Sequence, residues 1–394
     1  MYSHMKVLIA EDDMVVRTIL RQLVVQLGDE PVVAVDGEQA WTLQQEHRCG
    51  AVISDWTMPG CDGIELLTRI RALDAGNGYT YFILLTAHDE PSAFEKALAA
   101  GVDDHLSKPV QRAELMARIA VARRIVGLHQ DIAERNRMLS EANRRMRRDL
   151  AAAANAQKAL LPSSLPQHPG LVLGWRYQPC EECAGDLIGV QQLDQHHIGM
   201  YLFDVSGHGV ASALMAVQVA RVLMAVMRLV PMPLGVAQAL NETFYVPGSL
   251  RFVTLTYAIL DLRTWHMSLV SAGHPAPLLL RANGSVETQE IAAHPIGLFP
   301  SETAQFTTWE VDFSPGDRLL FVSDGVLEAN GAAVDDLPHT SEAFGPARLQ
   351  TVWEKSLGLP QEEALSAIMD TLAVWRGRGR LEDDITALAL ERTL

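Results

Sequence analysis

A chain of 394 residues, 48% of them hydrophobic, is long enough for two domains with a linker and holds enough apolar residues for sizeable cores. Its 32 Lys and Arg against 48 Asp and Glu leave a net charge of −16, which argues against a general nucleic-acid surface. Four Cys are too few for a disulfide framework in a chain of this size.

No apolar run reaches the roughly 18 residues that a spanning helix needs. The nearest, 210–230, is interrupted by Ser212, Gln218, Arg221 and Arg228. Lys6 is followed only by a short apolar run before an acidic cluster, so no secretory signal is expected. The expected location is the cytoplasm, with no membrane partner.

Through residue 122, apolar runs at 7–10, 31–35, 51–54, 81–85 and 102–106 alternate with amphipathic segments near 14–27, 38–46, 63–73, 91–99 and 111–125. This alternation predicts an α/β domain with a doubly wound, five-stranded parallel sheet. Polar residues gather where the strands end: Glu11-Asp12-Asp13, Asp55, Thr86 and Lys108. Ligands of open α/β sheets bind at the carboxyl ends of strands, so these groups are expected to converge. Crowded carboxylates repel one another unless a hard cation neutralises them, and Mg²⁺ suits an all-oxygen site.

On Glu11-Asp12-Asp13, Asp55-Trp56-Thr57-Met58-Pro59, Asp62-Gly63, Thr86-Ala87 and Lys108-Pro109, residues 1–122 resemble a response-regulator receiver domain. The resemblance implies that Asp55 accepts a phosphoryl group from a cognate sensor histidine kinase. It implies Mg²⁺ on Asp12, Asp13, Asp55 and the backbone carbonyl of Thr57, with Thr86 and Lys108 contacting the phosphoryl oxygens. His105 stands where the family carries an aromatic switch residue.

Residues 123–160 lack strand alternation. Ile132, Leu139, Met146, Ala153 and Leu160 recur at seven, and His129, Asn136, Asn143, Leu150 and Gln157 precede each by three. These are the d and a positions of a helical, coiled-coil linker. Asn at two successive a positions favours a parallel two-stranded pairing, so a homodimer through this helix is expected. The competing reading is a lone solvated helix. Its local basic excess is expected to be a solvated or intramolecular face, with no nucleic-acid partner.

From 161 to 394, short strands dominate, near 171–177, 189–193, 198–203, 254–260, 266–271 and 277–281. Helices are expected near 210–229, 234–245, 345–357 and 361–375, before a closing strand at 385–391. The pattern is α+β, antiparallel sheets with helices laid on them. Within it, Phe203-Asp204-Val205-Ser206-Gly207-His208-Gly209 runs an apolar strand into a carboxylate, a glycine turn and a helix. A strand that ends in Asp beside such a turn is a common way to present a metal ligand. Ala184-Gly185-Asp186, Ser323-Asp324-Gly325 and Asp383-Asp384 supply further carboxylates at strand ends. With no Lys or Arg beside them in sequence, they would be costly together without cations. Two oxygen-bound divalent metals account for them, and such a pair activates water against a phosphate ester. Cys180 and Cys183 form a C-x-x-C pair with no second ligand pair, so no zinc or redox site is expected.

On Ala184-Gly185-Asp186, the stretch 204–209, Ser271-Ala272-Gly273-His274-Pro275, Ser323-Asp324-Gly325 and Asp383-Asp384-Ile385-Thr386, this half resembles the bacterial sporulation-type branch of the metal-dependent protein phosphatases (PPM, or protein phosphatase 2C). The resemblance implies an antiparallel β-sandwich flanked by helices, αββα, with two Mg²⁺ or Mn²⁺ ions. Asp204 would bridge both, Asp186 and the Val205 carbonyl would ligate one, and Asp324 with Asp383 would complete the other. His208 and His274 would shape loops rather than donate protons. The chain departs from the family's G-G-D-x-x-D, with Ala184 for the first Gly and Gly189 for the last Asp; losing that carboxylate bears on metal strength or substrate approach.

The whole then reads as a receiver (1–122), a linker (123–160) and a phosphatase domain (161–394). The function expected is hydrolysis of phosphoserine or phosphothreonine, gated at Asp55, on a phosphorylated anti-sigma-factor antagonist. The alternative is a phosphorylation-controlled binding protein whose phosphatase fold captures a partner without turnover.

Overall fold

The computed structural model describes residues 4–74, 78–86, 97–207, 209–230, 232–289, 293–331, 342–377 and 381–393. Contacts divide the chain into two units, Met1–Arg145 and Met146–Leu394.

In the first unit, strands β1 (Lys6–Ala10), β2 (Glu30–Ala34), β3 (Ala51–Asp55), β4 (Tyr81–Thr86) and β5 (Asp104–Ser107) form a parallel sheet in the order β2-β1-β3-β4-β5. Helices α1 (Met14–Gln26), α2 (Gly37–His47) and α3 (Gly63–Asp74) alternate with them. The central strands are near-continuous apolar runs because both faces are covered, as parallel sheets require. Ile9, Ile53, Ile83 and Leu85 pack on one face with Leu20 and Leu115; Leu8, Val52, Phe82 and Leu84 pack on the other with Leu66 and Ile70. The helix expected near 91–99 lies mostly outside the described residues.

The segments expected at 111–125 and 123–160 are one helix, α4 (Arg112–Lys158). Neither Pro nor Gly-x-Pro interrupts it, so propagation continues at one hydrogen bond per residue. Its first turns bury Leu115, Ile119 and Ala122 in the receiver core, whereas 131–149 are exposed all round.

The second unit is a two-sheet sandwich. One sheet joins β7 (Leu187–Gln192), β8 (His197–Val205), β9 (Val253–Asp261), β10 (His266–Ala272) and β13 (Thr307–Asp312) in the order β13-β10-β9-β8-β7. The other joins β6 (Leu171–Gln178), β11 (Leu278–Leu280), β12 (Val286–Glu287), β14 (Arg318–Val322) and β15 (Ile385–Arg392) in the order β12-β11-β14-β15-β6. All pairings in both sheets are antiparallel.

Period-2 alternation sorts each strand between two layers. From β8, Met200 and Leu202 enter the core between the sheets with Leu319, Phe321, Leu388 and Leu390. Tyr201, Phe203 and Val205 face the other way, against α5 (Val210–Leu229) and α6 (Pro233–Phe244). Helices α8 (Gly345–Lys355) and α9 (Gln361–Arg376) cover the second sheet through Leu349, Trp353, Leu365 and Ile368, giving the αββα layering. Each fully buried Leu or Phe contributes about 1.5–3 kcal/mol. By length and composition α5 could cross a membrane, yet Ala216, Val219, Ala220, Leu223 and Met227 pack into the sandwich. The edge strands β12 and β13 are absent from the sequence expectation; β13 buries only Val311 fully, so its apolar signal is weak.

Two carboxylate sites at strand ends

In the receiver, Glu11 and Asp12 follow β1 and Asp55 ends β3; ligand oxygens of all three lie within 4.8 Å of one another. The Lys108 ammonium stands 3.0 Å from Glu11 Oε1 and 3.0 Å from Asp55 Oδ2. Burial raises the pKa of Glu11. Burial also works against the charge on Lys108, but its bonds to Glu11 and Asp55 outweigh that and raise its pKa.

Here one expectation is corrected. Asp13 Oδ1 accepts from Val15 N at 2.7 Å and Val16 N at 3.0 Å, capping α1. That carboxylate satisfies two orphan helix N–H groups, and Glu11 takes its place beside Asp12 and Asp55. The signal was available: an Asp immediately before a helical run that opens at Met14 is an N-cap position. Thr57 lies in the exposed turn after Asp55, and the Thr86 carbonyl at the end of β4 accepts from Lys108 N at 2.9 Å. His105 is half-buried in β5, across from Leu84. Ala87 lies outside the described residues.

In the sandwich, Asp204 is the penultimate residue of β8, paired with Thr254 of β9. Asp186 immediately precedes β7. From the other sheet, Asp324 opens the short helix α7 (Asp324–Leu327) after β14, and Asp383 lies two residues before β15. A Cβ on Gly185 would stand 2.7 Å from Asp204 Oδ1 and 2.9 Å from the Val205 carbonyl, so only glycine permits this approach. Gly207 and Gly209 turn the chain from β8 into α5 at φ 90° and 85°, in the left-handed region. His208 between them lies outside the described residues.

Electrostatics mark these carboxylates as one site. Burial first, then Asp324, Asp383 and Asp384, push Asp204 up to about 8. Burial and Asp383 push Asp324 up to about 6. Asp186 is fully buried and stands well above the carboxylate range, through burial and the neighbouring Asp204; the Thr386 hydroxyl, donating to its Oδ2, works the other way. Among the described residues no Lys or Arg pairs with Asp186, Asp204 or Asp324. An all-oxygen set this short of compensating charge fits hard divalent cations.

Several supporting residues escape the sequence reading. Asp384 is a buttress: its carboxylate accepts from Cys180 N and Gly185 N, both at 2.8 Å, and ties the Asp186 loop to β15. Gln157 of α4, 3% exposed, donates to the Ala184 carbonyl at 2.6 Å and accepts from Ala184 N at 3.1 Å. Period-2 alternation at Asp383-Asp384 hints that the two point apart. Nothing in the sequence announces Gln157.

The C-x-x-C pair serves no common site. Cys180 lies beside Asp383 and Asp384, while Cys183 Sγ faces the Leu150 carbonyl at 3.7 Å. Burial pushes the Cys180 thiol up to about 12 and raises Cys183 as well. His274 is buried with Nδ1 2.8 Å from Thr254 Oγ1, and burial pushes its pKa down to about 3. Its imidazole is therefore neutral at physiological pH. Gly189 sits opposite Tyr201, and a Cβ there would stand 2.2 Å from the tyrosine ring. By alternation it shares the helix-facing side with Leu187, whereas Asp186 shares the inter-sheet side with Ile188. The Tyr201 ring occupies the space that a side chain at position 189 would take.

Known proteins share this architecture. The SiaA-PP2C domain of Pseudomonas aeruginosa superposes with a TM-score of 0.55 at 20% identity, over 64% of this chain and 98% of that one. The RsbU and RsbW domains of Rv1364c from Mycobacterium tuberculosis give 0.50 at 24% identity, over 59% of this chain and 63% of that one. In sequence, phosphoserine phosphatase RsbP of Bacillus subtilis is 26% identical over 187 residues, 46% of each chain. Virulence sensor protein BvgS of Bordetella pertussis is 40% identical over 125 residues, 30% of this chain and 10% of that protein. The chain thus spans under half the length of these two curated relatives. Residues 7–120 match the response regulator receiver domain, and residues 194–393, just over half of the chain, match the Stage II sporulation protein E (SpoIIE) family, to which this chain, a receiver joined to a PP2C-type domain, belongs.

Proposed function

We propose that the chain is a response regulator whose output is a metal-dependent phosphoserine/phosphothreonine protein phosphatase, gated at Asp55. The observation that carries this reading is the convergence of Asp204, Asp186, Asp324 and Asp383 from two sheets, with the pKa values of Asp186, Asp204 and Asp324 raised by burial and by neighbouring carboxylates. Two Mg²⁺ or Mn²⁺ ions held on Asp186, Asp204, the Val205 carbonyl, Asp324 and Asp383 would supply Lewis-acid polarisation of a phosphate ester and an activated water. The chain's own residues set the stage: Asp384 and Gln157 fix the Asp186 loop, and Gly185 lets it close on Asp204. In the receiver, Asp55 would accept the phosphoryl group, Glu11 and Asp12 would hold Mg²⁺ with it, and Lys108, with Thr86, would meet the phosphoryl oxygens; the clustering of Glu11, Asp12 and Asp55 and the Lys108–Asp55 ion pair support this.

Under the same proposal a sensor histidine kinase supplies the phosphoryl group, and the substrate is a phosphorylated anti-sigma-factor antagonist. The resemblance of the PP2C-type half to RsbP and RsbU supports that substrate class. The domains are 1–122, 123–160 and 161–394, the protein is cytoplasmic, and exposed residues of α4 pair two copies. Placement of Gly189 against Tyr201, away from Asp186, disfavours the alternative of a partner-binding fold without turnover.

The test is hydrolysis of an aryl phosphate and a phosphoserine peptide with Mn²⁺ by the full chain and by Asp204→Asn. A loss of at least about 100-fold in the variant is expected, from removal of a charged ligand shared by the site. Equal rates would sink the assignment.

A further inference from the structure

Beside Asp204 lies a cavity of about 250 Å³ that Val205, whose carbonyl belongs to the proposed metal site, helps to line, with none of the four carboxylates in its wall. Its walls include Ser206 and Gly207 from the turn after β8, Ala211, Ser212 and Met215 from the start of α5, and Arg251. Among the described residues that line it, Arg251 alone is charged.

The fold places that arginine with some care. The β8–β9 ladder pairs Asp204 with Thr254 and Val205 with Val253. It is extended by Ser206 N donating to the Phe252 carbonyl at 3.0 Å and Phe252 N donating to Ser206 Oγ at 3.0 Å. Arg251 therefore stands one step beyond Phe252, three residues from the partner of Asp204. At about 3.4 Å per residue this is a backbone offset of about 10 Å, within the combined reach of an extended arginine and a phosphoryl group held at the carboxylates. The turn is braced from the helix side as well, where Ser212 Oγ donates to the Ser206 carbonyl at 3.4 Å.

The arginine is also unspent. Its side chain is exposed, and among the described residues no carboxylate pairs with it, although Arg176, Arg263, Arg281 and Arg318 in the same unit all have one. An exposed arginine with no partner is ordinary on a surface. One that alone supplies charge to a cavity beside clustered carboxylates is not, because a phosphate dianion must approach that negative cluster.

We infer that Arg251 is the phosphoryl-recognition residue of this site: its guanidinium takes non-bridging oxygens of the substrate's phosphoserine or phosphothreonine in the cavity under the first turns of α5. The inference rests on the phosphatase reading above. Guanidinium suits the role because its planar fork matches two phosphate oxygens, which the point charge of Lys does not. No bond is made or broken by Arg251; it binds and orients.

The experiment uses the full chain with Mn²⁺ and compares wild type, Arg251→Ala and Arg251→Lys. Inorganic phosphate is titrated calorimetrically and as a product inhibitor, and KM and kcat are measured on a phosphoserine peptide. Charged hydrogen bonds of this kind correspond to about 10- to 100-fold in affinity. Arg251→Ala is expected to weaken phosphate binding and raise KM by that factor, with kcat changed less; Arg251→Lys recovers part of it. Because Arg251 is exposed and unpaired, the melting temperature of both variants should match wild type. Phosphate affinity and KM within twofold of wild type in Arg251→Ala would overturn the inference, as would no phosphate binding by wild type. Failure of the phosphatase reading looks different: Asp204→Asn then hydrolyses as fast as wild type, whatever Arg251 does.

Discussion

Asp204 and Asp324 carry pKa values of about 8 and about 6 because burial and neighbouring carboxylates oppose their ionisation. The sign of the resulting pH dependence follows. A carboxylate whose folded pKa is raised above its unfolded value of 3.8 holds its proton more tightly in the folded chain. That stability is full below the unfolded value and is lost as pH climbs through the folded one, so the metal-free protein should melt at lower temperature at pH 8.5 than at pH 5. Divalent cations compete with those protons. The gain in melting temperature on adding Mn²⁺ should therefore grow from pH 6 to pH 9 and shrink sharply in Asp204→Asn. A gain that is flat with pH would show that these carboxylates do not take up the ion. Gly189 allows a second test at this scale. Restoring the family's acid in Gly189→Asp forces a side chain into the Tyr201 ring, and overpacking of this kind costs about 1–3 kcal/mol. The variant should lose stability in thermal melts and gain no phosphatase activity; a rise in activity would mean that the acid reaches the site after all.

At the scale of elements, α4 is more than a spacer. Its heptad positions are used unevenly: His129 stacks on Tyr79 at 4.2 Å, Gln157 is bonded to Ala184, and Leu160, just past the helix, packs under α5. The predicted seam from His129 to Leu160 is thereby cut back, and Ile132, Leu139 and Met146 remain exposed in its middle. The Gln157 amide clamps the residue two positions before Asp186. Gln157→Leu leaves the Ala184 N–H and carbonyl buried and unpaired, at about 1–3 kcal/mol for each group. Lower hydrogen-exchange protection in the 184–187 segment and weaker Mn²⁺ binding are expected, with the receiver's acceptance of phosphate from acetyl phosphate unchanged. Wild-type protection in that segment would reduce the clamp to a crossing contact.

For the whole molecule, the exposed Ile132, Leu139 and Met146, in a stretch where every residue from 131 to 149 is exposed, invite burial against a second copy, the pairing proposed above. Sedimentation should give twice the chain mass for wild type and the chain mass for Leu139→Lys. A monomer in the wild type would leave 131–149 as a solvated helix.

What the sequence determined by itself was local in character. Strands β1 to β5, helices α5 and α6, and the motifs ending in Asp55, Asp204 and Asp324 were legible because periodicity and turn chemistry act over a few residues. The tertiary structure decided what depends on direction and distance. It decided that Glu11 rather than Asp13 faces Asp55, since a helix N-terminus claims Asp13. It turned Asp384 into a buttress, filled the space at Gly189 with Tyr201, and brought Gln157 and Arg251 to a site far from them in sequence. Such roles are settled when two sheets close over one core and fix which side of each strand looks inward, and no stretch of sequence carries that information alone.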